Sequence, residues 1–314
     1  MFWRSLTAFC ILVAALFCEG QQPRAVLPHP PAPGSPADLV ERGQKLSSAG
    51  KQDEALALYA QALNMAPNFY EAHLESGIAL DLKGDYAKAQ EKLAKAVDVA
   101  PVDSKQEALR ALAFSFTFSG DAFKASEPEM QVFNARLAKG DSVGAAAACN
   151  ELARIYLELG DPDHAFKWYK MGYDTVSRKA DLSDPDKALW LFRWESAQAR
   201  VAARRGNGDE ARQHLAPAKA ALDKANNPDQ ARFYPYLTGY LAFYANDYKT
   251  AIADLQNADQ RDPFILVLLA QSYEKQGDAA QARDYYRKVL EINVHNPTNA
   301  FARPLAKKRL AAGS

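Results

Sequence analysis

The sequence is poor in the residues that carry most protein chemistry. Three cysteines and five histidines are spread through 314 residues. Cys10 and Cys18 fall within the first twenty, so Cys149 stands alone in the remainder and no bridge can form there. It lies in an apolar helical stretch, where a small buried hydrophobe is the expected role. His29, His73, His164, His214 and His295 are widely separated and form no His-Glu-x-x-His pattern, and one cysteine cannot supply a Cys-rich zinc cluster. A phosphate-cradling loop with its lysine, a Gly-x-Ser-x-Gly elbow and a dinucleotide fingerprint are all missing. Carboxylates such as Glu41, Glu54, Glu71, Glu91 and Glu158 are common, yet their spacing singles out no pair that could flank a scissile bond. The expectation is a protein without enzyme activity, bound metal or cofactor.

An excess of charge is missing as well, since 38 Lys plus Arg balance 38 Asp plus Glu. This argues against a nucleic-acid partner. Only one long apolar run occurs, from Leu6 to Phe17, interrupted by Thr7 and preceded by Arg4. Its length suits a secretory signal and is short for a membrane span. Residues 1–20 are therefore expected to be a signal peptide cleaved after Gly20, giving a periplasmic or secreted protein with no integral membrane domain. A tether through 1–20 is the alternative. Lipid attachment at Cys18 is a weaker one, because Ala15-Leu16-Phe17 departs from the small-residue pattern of a lipobox. Residues 21–35 form a proline-rich linker, with Pro23, Pro28, Pro30, Pro31 and Pro33 restricting the backbone and removing donors.

What remains is repetitive. Gly43, Gly50, Ala55, Tyr59, Ala62 and Pro67 recur as Gly77, Gly84, Ala89, Leu93, Ala96 and Pro101, each 34 residues later. Gly77 and Ala89 are small where two helix backbones would approach, Tyr86, Leu93 and Val97 can fill the space around them, and Gly84 permits the turn between. These positions together resemble the tetratricopeptide repeat (TPR) family. The resemblance implies an all-α fold: a right-handed α-solenoid of about seven helix hairpins over 36–314, closed by a C-terminal capping helix. The best repeats are expected at 36–69, 70–103, 146–179, 192–225, 232–263 and 264–293. In the sixth, Asn246 replaces the turn glycine.

Irregular features carry their own expectations. Ser104 and Glu107 suggest a capping box, and Pro128 suggests that the second helix of the third repeat begins near Glu127. Asp161-Pro162 and Asp184-Pro185 place a cap acceptor before proline at the start of long helices. In the final segment, Phe301, Leu305 and Leu310 are expected to cover the last repeat, with Arg303, Lys307, Lys308 and Arg309 in water and Pro304 bending or dividing the helix.

The resemblance also implies that the first helix of each hairpin lines a concave groove. Carrying the inner positions over gives Asn150 and Arg154, then Arg200 and Arg204, then Tyr236, Tyr240 and Tyr244, and then Gln271. Arginines could grip a carboxylate while tyrosines supply rigid apolar area with hydroxyl handles. Alternatively, the aromatics fill packing and the arginines pair within the chain. Val40, Gln44, Leu74 and Ile78 stand where a Lys/Asn carboxylate clamp would be needed, which disfavours that version of tail binding. The functional expectation is a scaffold or adaptor holding a protein or peptide segment in the cell envelope. A small-molecule or glycan carrier and a self-assembling structural protein are the alternatives.

Overall fold

The computed structural model describes residues 31–312, so the expected signal peptide, Cys18 and most of the linker lie outside the described residues. Within them the chain is all α. The helices are α1 (Pro36–Ser48), α2 (Gln52–Met65), α3 (Tyr70–Lys83), α4 (Tyr86–Val99), α5 (Lys105–Phe118), α6 (Ala122–Ala138), α7 (Ser142–Glu158) and α8 (Pro162–Ser177). They continue as α9 (Asp184–Arg204), α10 (Gly208–Gln213), α11 (Leu215–Ala225), α12 (Phe233–Tyr244), α13 (Tyr248–Gln256), α14 (Pro263–Lys275), α15 (Ala279–Glu291) and α16 (Pro297–Ala312). Consecutive helices pair into seven antiparallel hairpins stacked side by side, and α16 ends the array.

Two local devices recur. A glycine ends one helix in the left-handed region, and the following aspartate caps the next. At Gly84 (φ +102°) the turn is closed by amides of Gly84 and Asp85 donating to the Leu80 carbonyl. Asn246 takes the same role with φ +62°. Asp121, Asp141, Asp161, Asp247 and Asp278 each accept the amide three residues on. Inside a hairpin the helices touch at glycine: a Cβ on Gly77 would lie 2.4 Å from Leu93 Cγ. Leu93, Tyr86 and Val97 fill the surrounding space with Leu74 and Ile78. Cys149 is 1% exposed, as a small core residue.

Several local expectations are corrected. Helix α6 starts at Ala122, not near Glu127, because the Asp121 cap sets its first turn and the chain carries Pro128 through the helix interior. The Ser104/Glu107 capping box does not form. Ser104 belongs to a 3-10 turn, and Glu107 instead accepts a hydrogen bond from the Tyr70 hydroxyl at 3.1 Å. The cap of α9 is Ser183, one residue before Asp184, which places Pro185 in the first turn. The second helix of the fifth repeat is split at His214, where Pro217 has no amide to offer the Gln213 carbonyl. Pro304, in contrast, leaves α16 in one piece.

The largest correction concerns α16. It packs on α14 and α15 as a cap would, but it also lies against α5 and α7 and reaches the end of α3. Arg303 is buried rather than solvated. Its Nε donates to Leu82 O at 2.8 Å, and its Nη1 donates to Leu290 O and Ile292 O at 3.0 and 3.1 Å. Lys307 donates to Leu82 O and Lys83 O. These carbonyls include the unsatisfied C-terminal end of α3, where the helix dipole favours a cation. Lys308 and Arg309 are exposed, as expected, and Arg309 lies 3.5 Å from Glu274. The array therefore closes on itself, with its last helix seated on its second, third and fourth hairpins.

Candidate binding face

The first helices of the fourth to seventh hairpins bring most of the expected groove residues together. Arg154 and Glu158 are four residues apart on α7 and share one face. Arg200 and Arg204 do the same on α9, and Tyr236, Tyr240 and Tyr244 form a row along α12. The rows interlock. Arg204 Nη1 donates to Glu158 Oε2 at 2.9 Å and to the Tyr244 hydroxyl at 3.0 Å, and the Tyr240 hydroxyl donates to the same Glu158 oxygen at 3.2 Å. Arg200 Nη2 donates to the Tyr169 hydroxyl at 3.1 Å and stacks over the Tyr169 ring. Arg154 Nη2 is 3.5 Å from the Tyr236 hydroxyl and 3.7 Å from Asp262 Oδ2, with the Phe264 ring 5.5 Å from its guanidinium carbon. Tyr236 packs edge-on against Tyr240, and the Tyr240 and Tyr244 rings are tilted at 49° with centroids 4.7 Å apart.

Burial decides what this cluster offers. Arg154, Arg200, Tyr236 and Tyr240 are buried, with Tyr240 at 0% exposure. The picture of an open groove lined by these four is corrected: they are covered by neighbouring helices, and although Arg154 Nη2, Arg200 Nε and Arg200 Nη2 meet acceptors inside the chain, Arg154 Nε and Arg200 Nη1 are buried without a partner. The four partly exposed positions Asn150, Arg204, Tyr244 and Gln271 are termed the rim, and of these Arg204 and Tyr244 touch. Arg154 lies against Asp262 and Arg204 pairs with Glu158, while Arg200 donates to the Tyr169 hydroxyl and the Ser196 carbonyl. Burial pushes the Glu158 carboxyl up, opposed by Arg204, Arg154 and Arg200. Burial raises Asp262 likewise, against Arg154. The Tyr236 hydroxyl is pushed up to about 12 by burial, so it stays a neutral dipole at ordinary pH. Among the described residues no group of three His, Cys, Asp or Glu could hold a metal ion, and no helix is long and apolar enough to cross a membrane.

Sequence reasoning missed the acidic half of the network. Glu158 follows Arg154 by one helical turn, which was a usable signal. Asp262 precedes Pro263 as a cap, its Oδ1 accepting the Phe264 amide at 2.8 Å, and its second oxygen faces Arg154 only because α14 meets α7. The seat of α16 was missed as well. There Asp81 is fully buried, accepting from the Ser115 hydroxyl at 2.8 Å and lying 2.8 Å from His295 Nε2. The His295 ring stacks on Phe118.

Family models described as tetratricopeptide repeat match residues 40–104, 146–170, 195–217 and 236–297, together more than half of the chain. Among solved structures, a tetratricopeptide repeat protein from Parabacteroides merdae is similar at 15% identity and TM-score 0.51, over 88% of this chain and 97% of that one. The apo form of RapI is similar at 13% identity and TM-score 0.53, over 86% and 98%. At such identities the likeness concerns the fold.

Proposed function

The chain belongs to the tetratricopeptide-repeat family, and on that premise we propose that it is a non-enzymatic scaffold binding a protein or peptide segment in the cell envelope. One observation carries the reading: the inner helices already hold a helix of the same chain, α16, through contacts more than 200 residues apart in sequence. A surface that seats one helix by apolar contact plus charged donors to backbone carbonyls has the chemistry to recognise polypeptide. The partner is assigned to the partly exposed rim, Asn150, Arg204, Tyr244 and Gln271, while the buried Arg154, Arg200, Tyr236 and Tyr240 hold that rim in place. Placement in the periplasm or outside the cell rests on the signal-like residues 1–20.

A photo-crosslinking amino acid at Tyr244 or Gln271, activated in intact cells and followed by mass spectrometry, tests this. The expected result is a reproducible protein adduct that Arg204→Glu abolishes while helical circular dichroism is unchanged. A purified chain that turns over a peptidoglycan or polysaccharide library, or that carries a retained small ligand and yields no protein adduct, overturns it.

A further inference from the structure

Helix α16 is more than a lid on the last repeat. Its Ala302 and Ala306 pack into the core of the C-terminal hairpins, while Ala300 joins the cluster of Tyr70, Leu74 and Ile78 on α3. Arg303 and Lys307 point to the C-terminal carbonyls of that same α3. Ala300, Arg303 and Lys307 stand at positions i, i+3 and i+7, so a single stripe of α16 meets α3. The receiving surface is equally specific: the Leu82 and Lys83 carbonyls, the buried Asp81 carboxylate beside them, and an apolar strip from Leu74 to Ile78.

Ala302 and Ala306 anchor α16 on the C-terminal hairpins and Phe301 packs against α5 and α7, whereas its contacts with α3 are replaceable ones. The stripe meeting α3 buries one alanine, and an alanine side chain removes little apolar area from water, about 0.8 kcal/mol per methylene-sized group. Much of the hold on α3 comes from charged donors to carbonyls, which any correctly placed Arg and Lys can supply. The segment leading into α16, residues 292–296, is not helical, so α16 is joined to α15 by a short connector and is not a continuation of that helix.

We propose that the end of α3, with α5 beside it, is a receptor for an amphipathic helix that presents a small residue, an arginine three positions on and a lysine four beyond that. Helix α16 is its resident occupant, and a partner helix of that chemistry displaces it. The proposal rests on the reading of the chain as a polypeptide-binding scaffold and names a second surface for it, distinct from the rim of α7, α9, α12 and α14.

The probe is a fluorescent synthetic peptide of residues 293–312, titrated against the full chain and against the full chain carrying Arg303→Ala and Lys307→Ala. The expected result is binding at least tenfold tighter to the variant, whose own α16 competes poorly, and none by a peptide bearing the same two substitutions. Amide hydrogen exchange on the same samples should show residues 297–312 released in the variant and α7 to α9 unchanged. Equal affinity for both chains overturns the proposal, as does a released α16 whose vacated seat takes no peptide. Should the double variant misfold, Lys307→Glu alone, at a partly exposed position, gives the same comparison. Peptide exchange without a rim crosslink would retain this inference and remove the rim; a rim crosslink without exchange would do the reverse.

Discussion

The face built on α7 depends on α7 and α8 lying close enough that no side chain fits between them at Gly172. A Cβ there would sit 2.9 Å from the Ala146 carbonyl oxygen, 3.0 Å from Cys149 Cβ and 3.1 Å from Asn150 Oδ1. The first of these is backbone, so relief requires α7 to move as a body. Two effects oppose each other in Gly172→Ala. Helix propensity favours alanine by about 1 kcal/mol. Overpacking against a buried helix costs about 1–3 kcal/mol, and a backbone contact belongs in the upper half of that range. The expected net loss is about 1–2 kcal/mol, rising further for Gly172→Val, whose branched side chain has less room still. Gly208→Ala is the control, since at the start of α10 the added carbon meets only the flexible end of Arg212 at 3.4 Å; it should change stability by less than about 0.5 kcal/mol. Urea unfolding followed by helical circular dichroism measures all three. A Gly172→Ala protein as stable as the parent would mean that the hairpin is not this close, and that α7 does not hold Arg154 and Glu158 where they are described.

Three further outcomes are expected. Neither carboxyl oxygen of Glu129 has a hydrogen-bond partner, and burial, reinforced by Glu151, raises it well above its ordinary value of 4.5. Between that pH and the higher one at which the folded carboxyl ionises, unfolding releases a proton, so stability falls as pH rises. Glu129→Met should therefore stabilise by about 1–3 kcal/mol near neutral pH and by less near pH 4.5, and thermal unfolding at the two pH values checks it; a gain independent of pH contradicts the assignment. At the left-handed turn both variants lose the exposed bond from the Tyr248 hydroxyl to Asn246 Oδ1, and Asn246→Ala should cost about 1 kcal/mol more than Asn246→Gly, read by thermal melting; equal effects would mean the turn is not strained. The Cys149 thiol is pushed up to about 12, chiefly by burial with Glu129 adding to it, so a thiol reagent should label it in denaturant and not in the native chain. Native labelling at the rate of a free thiol would show that α7 opens.

The hairpins could be read from the sequence because their signals are local. A small residue at the helix contact, a left-handed turn residue and an aspartate cap all act within one repeat, and Asn246 could be placed in the glycine's position for that reason. The groove was half readable. A helical period aligns Arg200 with Arg204 and Tyr236 with Tyr240 and Tyr244, but it does not say whether that face looks at water or at a neighbouring helix. Here the long α7 and α9 and the aromatic α12 meet one another, and charge that would have been offered to a ligand is met by Glu158, Asp262 and Tyr169.

What the sequence could not show is where the two ends of the array meet. Asp81 and His295 are 214 residues apart, and neither has a local pattern that marks it. Arg303 looks like a solvated residue of an amphipathic helix for a sound reason: a basic side chain is buried only when acceptors wait for it. Its acceptors are the Leu82 carbonyl at the end of α3 and the Leu290 and Ile292 carbonyls at the end of α15, and a helix end displays such carbonyls whatever its side chains are. Backbone acceptors leave no trace in the residue types, so a cation that docks on them cannot be anticipated from its partner's sequence. The same fact bears on recognition. If α16 is held on α3 largely through main-chain atoms, a partner that replaces it is selected by the spacing of its own cations and by its small contacting residue, with Asp81, which faces His295 just before α16, as a side-chain acceptor beside the seat.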